Sequence, residues 1–224
     1  DLLSSGLLIL PRHMPETEEM VQRRRASEPL FEAEAKGELK WSVLRDWRQT
    51  EASEHLNVKE RPTDAPGVSF SSYAGWAVVR KTVPLTAEQL AAPFCALFLP
   101  CIDEEGTVYI NGKLAVSHTA KATGTAPGLL WREPVLVDLK TTDATPGDLD
   151  AAVHLRGNKG TGGLRKGAFL VWGKTPATPT QIYDFLAANT KLGRRDRIPP
   201  FWADFERERI PAVPQAVDEA TFGK

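Results

Sequence analysis

The sequence predicts an all-β fold: an antiparallel β-sandwich with short helical extensions at its two ends. Three observations predict it. From Trp41 onward, short apolar runs are separated by Gly, Pro, Asn and Asp, the texture of a sandwich rather than of strands alternating with long helices. Two runs, Phe94 to Leu99 and Ala168 to Trp172, are apolar at every position, so both faces of those strands should be covered. Asn111-Gly112 lies between Val108-Tyr109-Ile110 and Leu114-Ala115-Val116, and a two-residue type I′ turn needs the positive φ angles that Asn and Gly adopt with little strain.

Taken in order, residues 1–38 read as a helical amino-terminal extension. Pro15 to Lys36 is charged and rich in helix formers, with Gly37 as a stop and Pro29 expected to break it into two helices. Residues 39–174 form the sandwich. Its strands are expected near Leu39 to Asp46, Trp76 to Val83, Phe94 to Leu99, Thr107 to Ile110, Lys113 to Ser117, Pro134 to Leu139, Ala151 to Arg156 and Ala168 to Trp172. In Ala151 to Arg156, Val153 and Leu155 alternate with His154 and Arg156, which places the polar pair outward. Residues 175–224 read as a tail with a helix at Pro179 to Asn189, a basic stretch at Arg194, Arg195 and Arg197, and an aromatic helix headed by Phe201, Trp202 and Phe205.

Bulk properties narrow the function classes. Twenty-eight basic against 29 acidic side chains leave no global field to recruit nucleic acid or anionic lipid. Arg23 to Arg25, flanked by glutamates, reads as a solvated helix face. Leu7 to Leu10, ended by Pro11, is too short for a signal-peptide core or a membrane span. The first residue is Asp1 rather than Met, as expected of a processed chain or a fragment. Cys95 and Cys101 are six residues apart in an extended segment, about 20 Å at strand rise, so they are expected as buried free thiols rather than a disulfide.

Catalytic constellations are missing from the pattern. The acidic cluster Asp103, Glu104 and Glu105 falls in a turn that such residues keep wet, and Asp204 and Glu208 have Arg207 and Arg209 to neutralise them. There is no GxSxG elbow. Four histidines, His13, His55, His118 and His154, show no metal-ligand spacing, so no metal site is assigned. A structural calcium in a sandwich loop is possible in principle, but no spacing assigns it. Gly157 to Gly163 is glycine-rich without the GxxxxGK[ST] spacing of a phosphate loop, and it leads to a strand.

The tryptophans carry the remaining signal, because sugar rings stack their C–H faces on exposed aromatic faces. Trp131, after the loop Thr119 to Leu130, is the candidate platform, with plugging of the sandwich end as its alternative role. Trp41, Trp76 and Trp172 sit inside strand patterns and are expected mostly in the core. The candidate ligand-binding residues are Trp131, His118, Asn158 and Lys159, on the loops 119–131 and 157–167. For His118, loop anchoring competes with ligand contact.

Several motifs occur in a telling order: Trp41 and Trp47, then Gly75-Trp76-Ala77-Val78-Val79-Arg80, then Val108-Tyr109-Ile110-Asn111-Gly112 leading to His118. Val135-Leu136-Val137-Asp138-Leu139, Gly147, Val153-His154-Leu155 and Gly162-Gly163-Leu164 follow. This set resembles the sugar-binding jelly-roll, galactose-binding-like domain of glycoside hydrolase family 2, the β-galactosidase and β-glucuronidase group, over roughly residues 70–172. Ala77 and Val78 stand where that pattern has an aromatic, and Ala120 to Gly124 replaces its Gly-Gly-aromatic. The resemblance implies a non-catalytic, carbohydrate-binding accessory module with a neighbouring catalytic domain that holds the carboxylates, in a secreted or periplasmic setting. Alternatives from other classes are a protein-interaction or scaffold domain of a surface protein, and a self-contained glycan-processing enzyme working from the sandwich face. No cofactor is implied.

Overall fold

Strand β6 (Phe94–Leu99) is buried along its whole length, which only a strand covered on both faces can be. The computed structural model describes residues 17–53, 59–60, 68–71, 75–157 and 162–190. The chain divides into two units, Ala26–Leu192 and a second made of Asp1–Arg25 with Gly193–Lys224. Of the second, the described part is residues 17–25. There helix α1 (Glu18–Ala35) begins, with Thr17 Oγ1 accepting from the Met20 amide at 3.2 Å and Glu18 and Glu19 in its first turn, the cap and charges a helix start favours.

Within Ala26–Leu192, three antiparallel sheets form. The first has the order β1 (Leu39–Leu44), β13 (Ala168–Gly173), β6, β10 (Val135–Asp138). The second runs β2 (Arg48–Ala52), β5 (Gly75–Leu85), β11 (Gly147–Gly157), β8 (Glu105–Ile110), β9 (Lys113–His118). A small third sheet joins β3 (Lys59–Glu60), β4 (Val68–Ser71), β12 (Gly162–Leu164) and β7 (Ile102–Asp103).

The register sorts the side chains by period two. Cys95, Leu97 and Leu99 share a face with Ala168 and Leu170 and with Val135 and Val137. They pack in one cluster with Ala77, Val79, Val83, Val108, Ile110, Ala151, Val153 and Leu155 of the five-stranded sheet. This is the sandwich core, and the fold is the antiparallel β-sandwich with short helices that the composition pattern predicts. All eight predicted strands are present.

The other face of the four-stranded sheet carries Phe98 and Phe169, whose ring centroids are 6.4 Å apart, and Trp41, 6.2 Å from Phe169. Helices reach this face. Trp41 Nε1 donates to Glu34 of α1 at 2.7 Å, and Phe31 of α1 meets Phe185 of α4 (Pro179–Asn189) edge-on at 5.0 Å. Helix α4 starts with a capping box, in which Thr178 and Gln181 satisfy each other's amides. It buries Ile182, Tyr183, Phe185 and Leu186. Lys166, only 2% exposed, donates to the Tyr183 hydroxyl at 2.8 Å and ties the β12–β13 connection to this layer.

One expectation about the helices is overturned. Pro29 does not break the amino-terminal helix: α1 continues through it from Glu18 to Ala35. Pro29 itself is exposed, while Leu30 and Ala33 beside it are buried, so burial of the apolar stripe outweighs one lost backbone hydrogen bond. The predicted stop holds. Gly37 has φ +70°, and the Glu38 and Gly37 amides close on the Ala33 and Glu34 carbonyls at 2.7 and 2.8 Å, the Schellman arrangement. The expected carboxy-terminal aromatic helix lies outside the described residues.

In β12, Gly163 has φ +118°, and a Cβ there would stand 2.3 Å from the Val68 carbonyl oxygen. Only glycine fits. Beside it Arg165 pairs with the largely buried Asp103 at 3.2 Å, so part of the acidic cluster in that turn is structural.

Candidate binding surfaces

Two surfaces collect the chemistry. The first is the crossing from β9, at the edge of the five-stranded sheet, to β10, at the edge of the four-stranded one. It contains helix α3 (Ala120–Thr123) and a 3-10 turn, Pro127–Arg132. The crossing is internally tied: Thr119 caps α3 by accepting from Ala122, Glu105 accepts from the Ala120 amide at 2.9 Å, and Thr125 hydrogen-bonds Glu133.

His118 lies beneath this crossing at 3% exposure, its Nε2 donating to the Leu130 carbonyl at 3.1 Å. A carbonyl can only accept, so Nε2 carries the proton in the neutral ring. Burial holds the imidazole pKa below its ordinary value, against weaker opposing effects of that hydrogen bond, Glu133 and Glu105. His118 therefore anchors the turn and offers no free face. Trp131 is partly exposed, with Nε1 bonded to the Gly128 carbonyl at 3.0 Å and the Arg132 guanidinium 5.0 Å from its ring centroid. The structure thus brings His118 and Trp131 to one turn through Leu130. Asn158 and Lys159 lie outside the described residues.

The second surface is the outer face of the five-stranded sheet, and the sequence reading missed its chief residue. Trp76, expected in the core, is 47% exposed. It occupies an outward position of β5, opposite Arg156 of β11, while its neighbours Ala77 and Val79 point into the core. Gly75, with φ +127°, precedes it. His154 also points outward, as its alternation with Val153 and Leu155 predicts, and stacks at 4.5 Å between centroids on Tyr109 of β8. Leu114, 62% exposed, lies opposite Tyr109 on the edge strand β9.

Buried Val78 and Ala152 form the floor between these side chains. Arg80 is paired on this face, 3.0 Å from Asp150 and 3.9 Å from Glu51, while Arg156 stands opposite Glu105 in the strand register. Such exposed pairs stabilise little, but they leave the face without a dominant sign.

Neither surface holds a catalytic constellation among the described residues. No three His, Cys, Asp or Glu side chains there gather as a metal site would require. Cys95 and Cys101 are buried and form no disulfide, and burial pushes the Cys95 pKa up to about 11, which keeps it protonated and unreactive.

No protein-family model matches the sequence, and no curated protein matches it. Similar solved structures include a β-glucuronidase of an uncultured Clostridium, 13% identical with a TM-score of 0.45, covering 61% of this chain and 29% of that one. A β-glucuronidase of Ruminococcus gnavus is 21% identical with a TM-score of 0.45, again over 61% and 29%. The same enzyme in complex with D-glucuronic acid is 20% identical with a TM-score of 0.43, over 61% and 30%. The match spans less than a third of those chains, and likeness at TM-scores below 0.5 is too distant to assign a function.

Proposed function

We propose that this chain is an accessory module of a carbohydrate-active enzyme, a non-catalytic β-sandwich of jelly-roll type that binds a glycan beside a separate catalytic domain. The single observation that carries this reading is an aromatic side chain left open on a rigid sheet, Trp76 at 47% exposure, when most large apolar side chains of the described chain are buried. An indole in that position has an apolar face to offer and a cost in water to recover, which a sugar's C–H face supplies. The ordered motif set resembling family 2 sugar-binding domains supports it. Trp131 is a second contact under this reading, with His118 holding its turn in place and Asn158 and Lys159 as further candidate contacts.

Titration of the whole chain with plant and bacterial oligosaccharides, read by tryptophan fluorescence and calorimetry, tests the reading. Saturable binding that falls at least tenfold in Trp76→Ala or Trp131→Ala is the expected outcome. A flat response to every saccharide would leave a purely structural or scaffolding role.

A further inference from the structure

The strand register arranges the open side chains of the five-stranded sheet along one diagonal. Trp76 on β5 lies opposite Arg156, two residues from His154 on β11. His154 in turn lies opposite Thr107, two residues from Tyr109 on β8. Both steps go one strand across and two residues along, in the same sense. Leu114 on β9, directly opposite Tyr109, continues the line to the edge of the sheet.

Diagonal neighbours on one face are about 7–8 Å apart along the backbone, so the attachment points of Trp76 and Tyr109 are about 15 Å apart, the reach of roughly three sugar rings laid end to end. Among the described residues, the stripe is open at both ends. It leaves the sheet over β9 past Leu114, 62% exposed, and starts at a Trp76 that no described aromatic ring covers.

We infer that this diagonal, Trp76–His154–Tyr109–Leu114, is a subsite row for the interior of an uncharged, extended oligosaccharide chain. The inference rests on the accessory-module reading and adds to it the place, the charge and the length of what is bound. Three features select that occupant. Aromatic surface is offered at two separated points along a line, Trp76 and the packed His154–Tyr109 pair, rather than closing into a pocket, so rings along a chain are gripped and a chain end is not. Arg80 is engaged by Asp150 and Glu51, and Arg156 faces Glu105 across the ladder; a balanced face complements a neutral polymer and gives an anionic one no net attraction. Thr107 of β8 and Ser117 of β9, opposite each other beside the stripe, add hydroxyls that can pair with sugar hydroxyls.

The test uses the whole chain and length series of cello-, xylo- and manno-oligosaccharides, from one to six units, with oligogalacturonides as the anionic comparison. Affinity should climb with length to about three or four units and then level off, be insensitive to salt, and fall at least tenfold in Trp76→Ala and in Tyr109→Ala. Trp76 is exposed and Tyr109 partly so, and unchanged thermal melting of the variants would show that the loss is one of contact. If monosaccharides bind as well as longer chains, or if binding disappears in Trp131→Ala and survives in Trp76→Ala, the subsite row is wrong while the glycan-binding module stands. Preference for oligogalacturonides with steep salt dependence also overturns it. If no saccharide of any length binds, both readings fall together.

Discussion

At the scale of single residues, His118 shows how one buried titratable group sets a pH limit on the crossing it holds. Its only route to a charge is to gain a proton at Nδ1 in a largely buried setting, and burial lowers its pKa below the ordinary 6.5. In the unfolded chain the ring takes up its proton near that ordinary value, so between the two pKa values the unfolded state binds more protons. Stability is therefore fully present above the unfolded pKa and drains away as the pH falls below it towards the folded one. Thermal melts from neutral to mildly acidic pH should show this decline, and His118→Gln, which never charges, should flatten that part of the profile even if it lowers stability at neutral pH. A variant as steep as the parent would show that some other group sets the limit.

At the scale of elements, α1 and β5 show where local pattern decides and where it does not. An exposed proline inside a helix costs up to about 3 kcal/mol through its missing N–H and its clash with the preceding turn. Helix α1 carries that cost because Leu30 is seated, at 1% exposure. Pro29→Ala should therefore stabilise the chain, by about 1–2 kcal/mol once the freer unfolded chain is allowed for, as a shift of the urea midpoint without change in slope. No gain, or a loss, would mean that Pro29 itself contributes to the stability of the helix.

The same contest explains what could be read from the sequence. The Asn111-Gly112 hairpin was legible because its chemistry is local: Asn111 and Gly112 have φ of 49° and 77°. The fully apolar runs were legible because composition alone marks a strand covered on both sides. Helix α4 could be found from Thr178, Pro179 and Gln181, a start signal confined to four residues. The continuation of α1 was not, since tertiary burial overrode the local breaker.

Trp76 was misplaced because Val78, an apolar residue on the outward side, hides the alternation in Gly75–Leu85. Its phase is nonetheless there. Val79, Val83 and Leu85 fall inward, so Trp76 belongs with Arg80 and Thr82 on the wet face. The strands of the small third sheet, two to four residues long and mostly without alternation, show no period to read, and polar β2 has no apolar phase. At the site, the role of His118 could be narrowed from sequence only to a choice of two, because which side of a turn a histidine faces depends on the burial around it.

At the scale of the whole Ala26–Leu192 unit, the four-stranded sheet serves two cores, one shared with the five-stranded sheet and one under the helices. Leu97 belongs to the first and Phe185 to the second, each at 0% exposure. If the helices were appendages resting on a finished sandwich, emptying the second core would loosen them alone. The rings argue otherwise. Phe98 and Phe169 lie on adjacent central strands, so exposing them to water removes one wall of the sheet that also walls the first core, and neither core is stable without it. Phe185→Ala should then cost about 3–5 kcal/mol and Leu97→Ala about 2–5 kcal/mol, each lowering one cooperative transition seen alike by circular dichroism and by tryptophan fluorescence. A biphasic transition in Phe185→Ala, with the helical signal lost first and the sheet signal unmoved, would instead make the helical layer a separable part.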